Sequence, residues 1–93
     1  MSTSPLMPTT GGATFGKYNA QNEHLFSVNA GIPGIEALEH ASLLMNCVNT
    51  LSFLGAFEDG NEATAMRWAS HYISEMAKAL IDDITLGLQH AQD

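Results

Sequence analysis

The sequence has almost no cysteine: a single residue, Cys47. One thiol cannot close an internal disulfide, which excludes the disulfide-stapled scaffolds of small secreted domains. Cations are nearly as scarce, with 3 Lys and Arg against 10 Asp and Glu and a formal net charge of −7 at pH 7. So few positive charges cannot follow a phosphate backbone, and no nucleic-acid partner is expected. No apolar run approaches the roughly 18 residues of a bilayer-spanning helix, so no membrane partner is expected either. The first residues lack a basic segment leading into an apolar one; no secretory leader is expected, and a cytoplasmic location is the default. A chain of 93 residues suits one small domain. These exclusions bound the function without naming it.

What is present is unevenly placed. Pro5, Pro8 and Pro33 all lie in the part of the chain that ends at Gly34, as do five of the eight glycines, Gly11, Gly12, Gly16, Gly31 and Gly34. The whole negative charge follows Gly34, where nine acids face only Arg67 and Lys78. Residues 1–22 are rich in small and polar side chains. Such a segment buries too little surface to offset its ordering entropy, and it reads as a disordered tail. The alternative is that Phe15 and Tyr18 dock onto the folded part. Residues 23–93 then form a helical hairpin domain. It opens with a short apolar run, Leu25, Phe26 and Val28, read as an extended arm over 24–32 and alternatively as an edge strand.

The first helix is expected over 33–57. Pro33 suits a first helical position because it lacks a donor that would be unpaired there. Glu36 and Glu39 sit near the positive end of the helix dipole. Ile35, Leu38, Ser42 and Met45 fall on one line at helical spacing; Ala37, Ala41, Leu44, Val48 and Leu51 fall on its neighbour. Residues 58–61 interrupt this pattern, and Asp59 with Glu62 reads as a capping pair for the second helix. That helix is expected over 61–86, with Gly87 marking its end. Met66, Ala69, Ile73, Met76 and Leu80 alternate steps of three and four, the spacing of a bundle seam. Ala65, Trp68 and Tyr72 widen the stripe. Arg67, His71, Ser74, Glu75, Lys78 and Asp82 make the wet side, with His71–Glu75, Glu75–Lys78 and Lys78–Asp82 spaced as weak intrahelical pairs.

A two-helix hairpin gives each helix one neighbour and leaves much of its apolar surface wet. The expected fold is therefore all-α: an antiparallel helical hairpin preceded by an extended arm, two copies pairing as a homodimer into a four-helix bundle. Its interface is expected from Met45, Val48, Leu51, Met66, Trp68, Ala69, Ile73, Met76 and Leu80.

Candidate chemistry is sparse. Glu36 with His40, and His71 with Glu75, have the four-residue spacing of metal ligands on a helix, yet metal sites in bundles need donors converging from several helices. Solvated faces account for all four residues. Cys47 falls level with His71 in the hairpin register, but no orienting third group accompanies them, and Cys47 reads as a small buried hydrophobe. Glu36, Glu39, Asp82 and Asp83 gather at the open end of the hairpin, and Glu58, Asp59 and Glu62 at the loop end. These acidic ends suit a basic protein partner or a loosely held divalent cation, with simple solvation as the plainer reading. The glycines at 11, 12 and 16 neither follow a strand nor open a helix, so they make no phosphate loop. No catalytic residue and no cofactor is expected.

Three stretches carry a resemblance: LFSVNAGIP at 25–33, EALEHAS at 36–42 and EMAKALI at 75–81. Together they resemble a family of short Gram-negative bacterial proteins classed as a domain of unknown function. The resemblance spans roughly residues 24–84 and implies a two-helix unit with a preceding arm, without any activity to carry over. The function expected from these readings is a small acidic, dimeric, protein-binding or regulatory module without catalytic activity. The alternative is a metal- or small-ligand-binding helical bundle.

Overall fold

A computed structural model describes residues 6–92 of the chain. The elements run β1 (Thr14–Lys17), β2 (His24–Ser27), α1 (Gly34–Gly55) and α2 (Gly60–Gln92). The fold is mostly helical, with a small sheet that the all-α expectation omits. β1 and β2 pair antiparallel, with Thr14 opposite Ser27, Phe15 opposite Phe26 and Lys17 opposite His24. The stretch expected as a lone arm over 24–32 is thus one strand of a hairpin followed by a turn. Asn19 shapes the tip of that hairpin: its side-chain oxygen accepts from the N–H groups of Gln21 at 3.1 Å and Glu23 at 3.2 Å. Gly16 has φ 73°, and a Cβ there would stand 2.8 Å from the Phe26 ring, so this strand position needs glycine. Its neighbour Phe15 stacks on Phe26 with ring centroids 5.1 Å apart.

The expected disordered tail over 1–22 is corrected for its described part; residues 1–5 lie outside the described residues. Leu6 to Asn22 belongs to the fold because polar groups pin its backbone. Asp83, fully buried, accepts from the backbone N–H groups of Thr10, of Gly11 at 3.0 Å and of Ala13 at 3.2 Å. The hydroxyl of Thr9 donates to the carbonyl of Asn29 at 2.6 Å and accepts from the N–H of Ile32 at 2.9 Å. Backbone bonds from Thr9 to Ile32 and from Gly31 to Thr9 complete this clasp. Ala13, Val28 and Ala79 form a small core against which Phe15 and Leu80 pack. Phe15 therefore docks, whereas Tyr18 stays exposed.

Small residues set the helix packing. α1 buries Gly34, Ala37 and Ala41; α2 buries Ala63 and Ala77, and the two helices pack along their length. A Cβ on Gly55 would lie 3.8 Å from Met66 across the hairpin. Pro33 is the N-cap of α1 rather than its first residue. Gly87 does not end α2. It sits inside the helix because the chain crosses it closely: the carbonyl oxygen of Pro8 would be 3.3 Å from a Cβ at this position.

α1 and the β-hairpin stand on either side of α2 in a single layer over most of its length, while Leu6 to Pro8 cross α1 at Gly34 and α2 at Gly87. The extents along the principal axes are 52, 37 and 16 Å. The long axis matches the roughly 50 Å of a 33-residue helix. The radius of gyration is 15.6 Å, against about 12 Å for a compact chain of this length.

Candidate functional site

One layer has two broad faces, and the helical repeat of about 100° per residue assigns side chains to each. Ala37, Ala41, Val48 and Gly55 turn toward α2; Ala63, Ser70 and Ala77 turn back toward α1. Residues a quarter-turn to the same side of both seams share a face. The first face carries Leu43, Cys47 and Leu54 from α1 with Ala69, Ile73, Met76 and Leu80 from α2. Leu43 is 57% exposed, Leu54 45% and Met76 37%, and Ala69, Ile73 and Leu80 are half-buried. The second face carries Met45, Asn49 and Ser52 with Arg67, His71, Glu75, Lys78 and Asp82. There His71 Nε2 lies 3.0 Å from Glu75 Oε2, and Lys78 Nζ lies 2.6 Å from Asp82 Oδ2, which realises two of the three expected intrahelical pairs.

The residues expected at the interface divide between these surfaces. Val48, Leu51 and Met66 meet across the two helices and floor a groove of about 650 Å³ bordered by Arg67 and His71. Ala69, Ile73, Met76 and Leu80 lie on the first face. Met45 lies on the second. Trp68 belongs to neither: it stands 59% exposed on the edge of α2 away from α1, with its ring 6.1 Å from Tyr72 and 6.0 Å from His71. Further along this edge, Tyr72 and Met76 meet Phe15, Leu25 and Phe26 around an apolar hollow of about 330 Å³. The line of residues Trp68, Tyr72, Ala79 and Asp83 explains the arrangement. The N-terminal segment covers its C-terminal half, the hairpin borders Tyr72, and Trp68 stands bare.

The polar candidates do not converge. Glu36 and His40 are exposed on α1, and His71 is engaged by Glu75. Among the described residues, no group of three or more His, Cys, Asp or Glu side chains is placed to hold a metal ion. Cys47 is exposed, not the buried hydrophobe expected of it; it occurs a quarter-turn off the seam that Ala41 and Val48 occupy. The acidic cluster expected at the open end is also corrected. Asp82 is paired with Lys78, and Asp83 is buried beneath the N-terminal segment. Burial pushes the Asp83 carboxyl up, but the hydrogen bonds from Thr10, Ala13 and Gly11 outweigh it and hold the group below its ordinary value.

The exposed Leu43 and Leu54 were not singled out by the sequence reading, although with Cys47 they fall four and seven positions apart, a helical spacing. Phe53 and Phe57 are exposed as well, with rings 5.1 Å apart near the interhelical loop. Among the described residues, no helix is long and apolar enough to cross a membrane. A family model described as "Protein of unknown function (DUF3077)" matches residues 9–87. No curated protein and no solved structure matches the chain.

Proposed function

The chain belongs to the DUF3077 family, and we propose that it acts as a non-catalytic, homodimeric helical module that binds another protein. The single-layer architecture is the observation that carries this reading. Domains ordinarily bury an apolar face between two layers, and here the second layer is lacking within one copy. The accessible surface is 6390 Å², against roughly 5,200 Å² for a compact monomer of this mass. A second copy supplies the missing layer and makes four helices of two.

The binding role rests on the aromatic edge. Trp68 and Tyr72 are the side chains that most often anchor protein interfaces, and they stand beside an apolar hollow able to take a side chain. The net charge of −7 favours a partner with a basic surface. The non-catalytic reading is supported by the scatter of Cys47, His40 and His71 over separate parts of the hairpin. A bacterial cytoplasmic setting goes with the same reading.

Thermal unfolding over about a hundredfold range of protein concentration tests it. A fold completed by a second copy melts at higher temperature as concentration rises. A midpoint that does not move with concentration contradicts it.

A further inference from the structure

We propose that the groove between α1 and α2 on the second face binds a small molecule with one carboxylate and an apolar acyl chain. The groove measures about 650 Å³, within the range of small-ligand sites. Its chemistry is divided. Val48, Leu51 and Met66 make an apolar floor, and Ser52, Ser70 and Ser74 line it with hydroxyl-bearing side chains. Arg67 stands at the end near the interhelical loop. No Asp or Glu lines this groove, although the chain carries 10 acids against 3 Lys and Arg. Both walls belong to one chain, so the inference goes beyond the homodimeric reading and does not depend on it.

Arg67 is the sole arginine, and it is exposed. One helical turn to either side of it lie Ala63, Thr64, Ser70 and His71, so no acid meets it along α2. Its Nη2 donates to the Thr64 hydroxyl at 3.3 Å, and among the described residues it makes no ion pair. Glu75, the acid nearest the groove along α2, is held on His71 at 3.0 Å. The planar guanidinium fork therefore keeps donors for a carboxylate from outside. Charge and shape narrow the ligand further. One cation in a chain of −7 suits a single negative charge, since the surrounding field repels a dianion more strongly. Helical walls bond their backbone groups internally. An extended peptide in the groove would leave its own amides unpaired, whereas an acyl chain has none to satisfy. From Val48 to Ala56 the groove runs about 12 Å along α1, the length of an octanoate chain. The carboxylate then lies at the Arg67 end, and the chain crosses Leu51 toward Val48 and Ser74.

Titration of the full chain with sodium octanoate at fixed ionic strength, followed residue by residue through backbone amide NMR shifts, tests this site. The expected result is a saturable shift centred on Leu51, Ser70 and Ser74. Arg67→Gln should weaken octanoate binding at least about fivefold, the scale of one exposed charge pair. Lys17→Gln removes a cation from the hairpin and should leave binding unchanged; both substitutions fall at exposed positions. Acetate, which lacks the chain, and octanol, which lacks the charge, should each bind at least about fivefold more weakly than octanoate. No saturable shift, shifts confined to the hollow at Phe15, Phe26 and Tyr72, or octanol bound as well as octanoate overturns the site. A short peptide with an apolar C-terminal residue and a free carboxylate that binds more tightly than octanoate overturns the acyl ligand in favour of a protein C-terminus.

Discussion

The carboxylate of Asp83 accepts a hydrogen bond from the backbone N–H of Gly11 at 3.0 Å, across 72 positions of sequence. With the N–H groups of Thr10 and Ala13 on the same carboxylate, this one side chain from α2 serves three backbone donors of the segment before β1, whose other backbone bonds run to Val28, Gly31 and Ile32. Asp83→Ala would leave three backbone donors without acceptors in a buried place. The expected cost is roughly 3–5 kcal/mol, a large part of the roughly 5–14 kcal/mol available to a chain of this length. Asp83→Asn has the same shape but turns amide donors toward backbone donors, and it should destabilise as well. Denaturant unfolding at fixed protein concentration measures both, and an Asn variant as stable as the unaltered chain would show that the charge is dispensable.

The same carboxylate sets a pH dependence. Burial raises its pKa, and the hydrogen bonds from Thr10, Ala13 and Gly11 lower it further than burial raises it, to below the ordinary value of 3.8. A group whose folded pKa lies below its unfolded one contributes fully above the unfolded value and loses its contribution as pH falls through the folded one. The stability difference between the unaltered chain and Asp83→Asn should therefore be constant near neutrality and shrink below about pH 4. A difference that shrinks between pH 5 and 8 would contradict the assignment.

Gly34 opens α1 where Leu6 and Met7 cross it. A Cβ there would stand 2.5 Å from Leu6 Cβ and 2.6 Å from the Met7 carbonyl oxygen. Gly34→Ala should cost roughly 1–3 kcal/mol despite alanine's better helix propensity, because the backbone has to move. Hydrogen exchange at residues 6–13 should rise with it; a stabilised variant would show that the crossing is not close.

Thr9→Val removes a hydroxyl that serves two backbone groups, the Asn29 carbonyl and the Ile32 N–H. The expected cost is about 1–3 kcal/mol, largely recovered in Thr9→Ser, which keeps the hydroxyl. Equal stability for the Val and Ser variants would assign Thr9 to packing instead.

The helices were legible because their signals are local. Alanines and leucines recur at helical spacing, and His71–Glu75 and Lys78–Asp82 pair within one helix. The N-terminal segment was illegible because what orders it is distant. Asp83 is written as one more acid on an acidic helix, and only the folded chain brings Thr10, Gly11 and Ala13 to it. Gly87 illustrates the same limit: a glycine late in a helix reads as a stop, yet here it admits the crossing of Pro8. The second-helix seam of Ala69, Ile73, Met76 and Leu80 was found as an apolar stripe. Which neighbour it faces depends on where the hairpin docks, and periodicity carries no information on that.

On the function proposed above, a single layer of helices and hairpin needs a second copy to cover it. Sedimentation equilibrium of the unaltered chain measures this most directly. A mass of about 20 kDa, twice the 10.0 kDa of one copy, that falls toward 10.0 kDa only on strong dilution is the predicted result. A single species of 10.0 kDa at every concentration would contradict it.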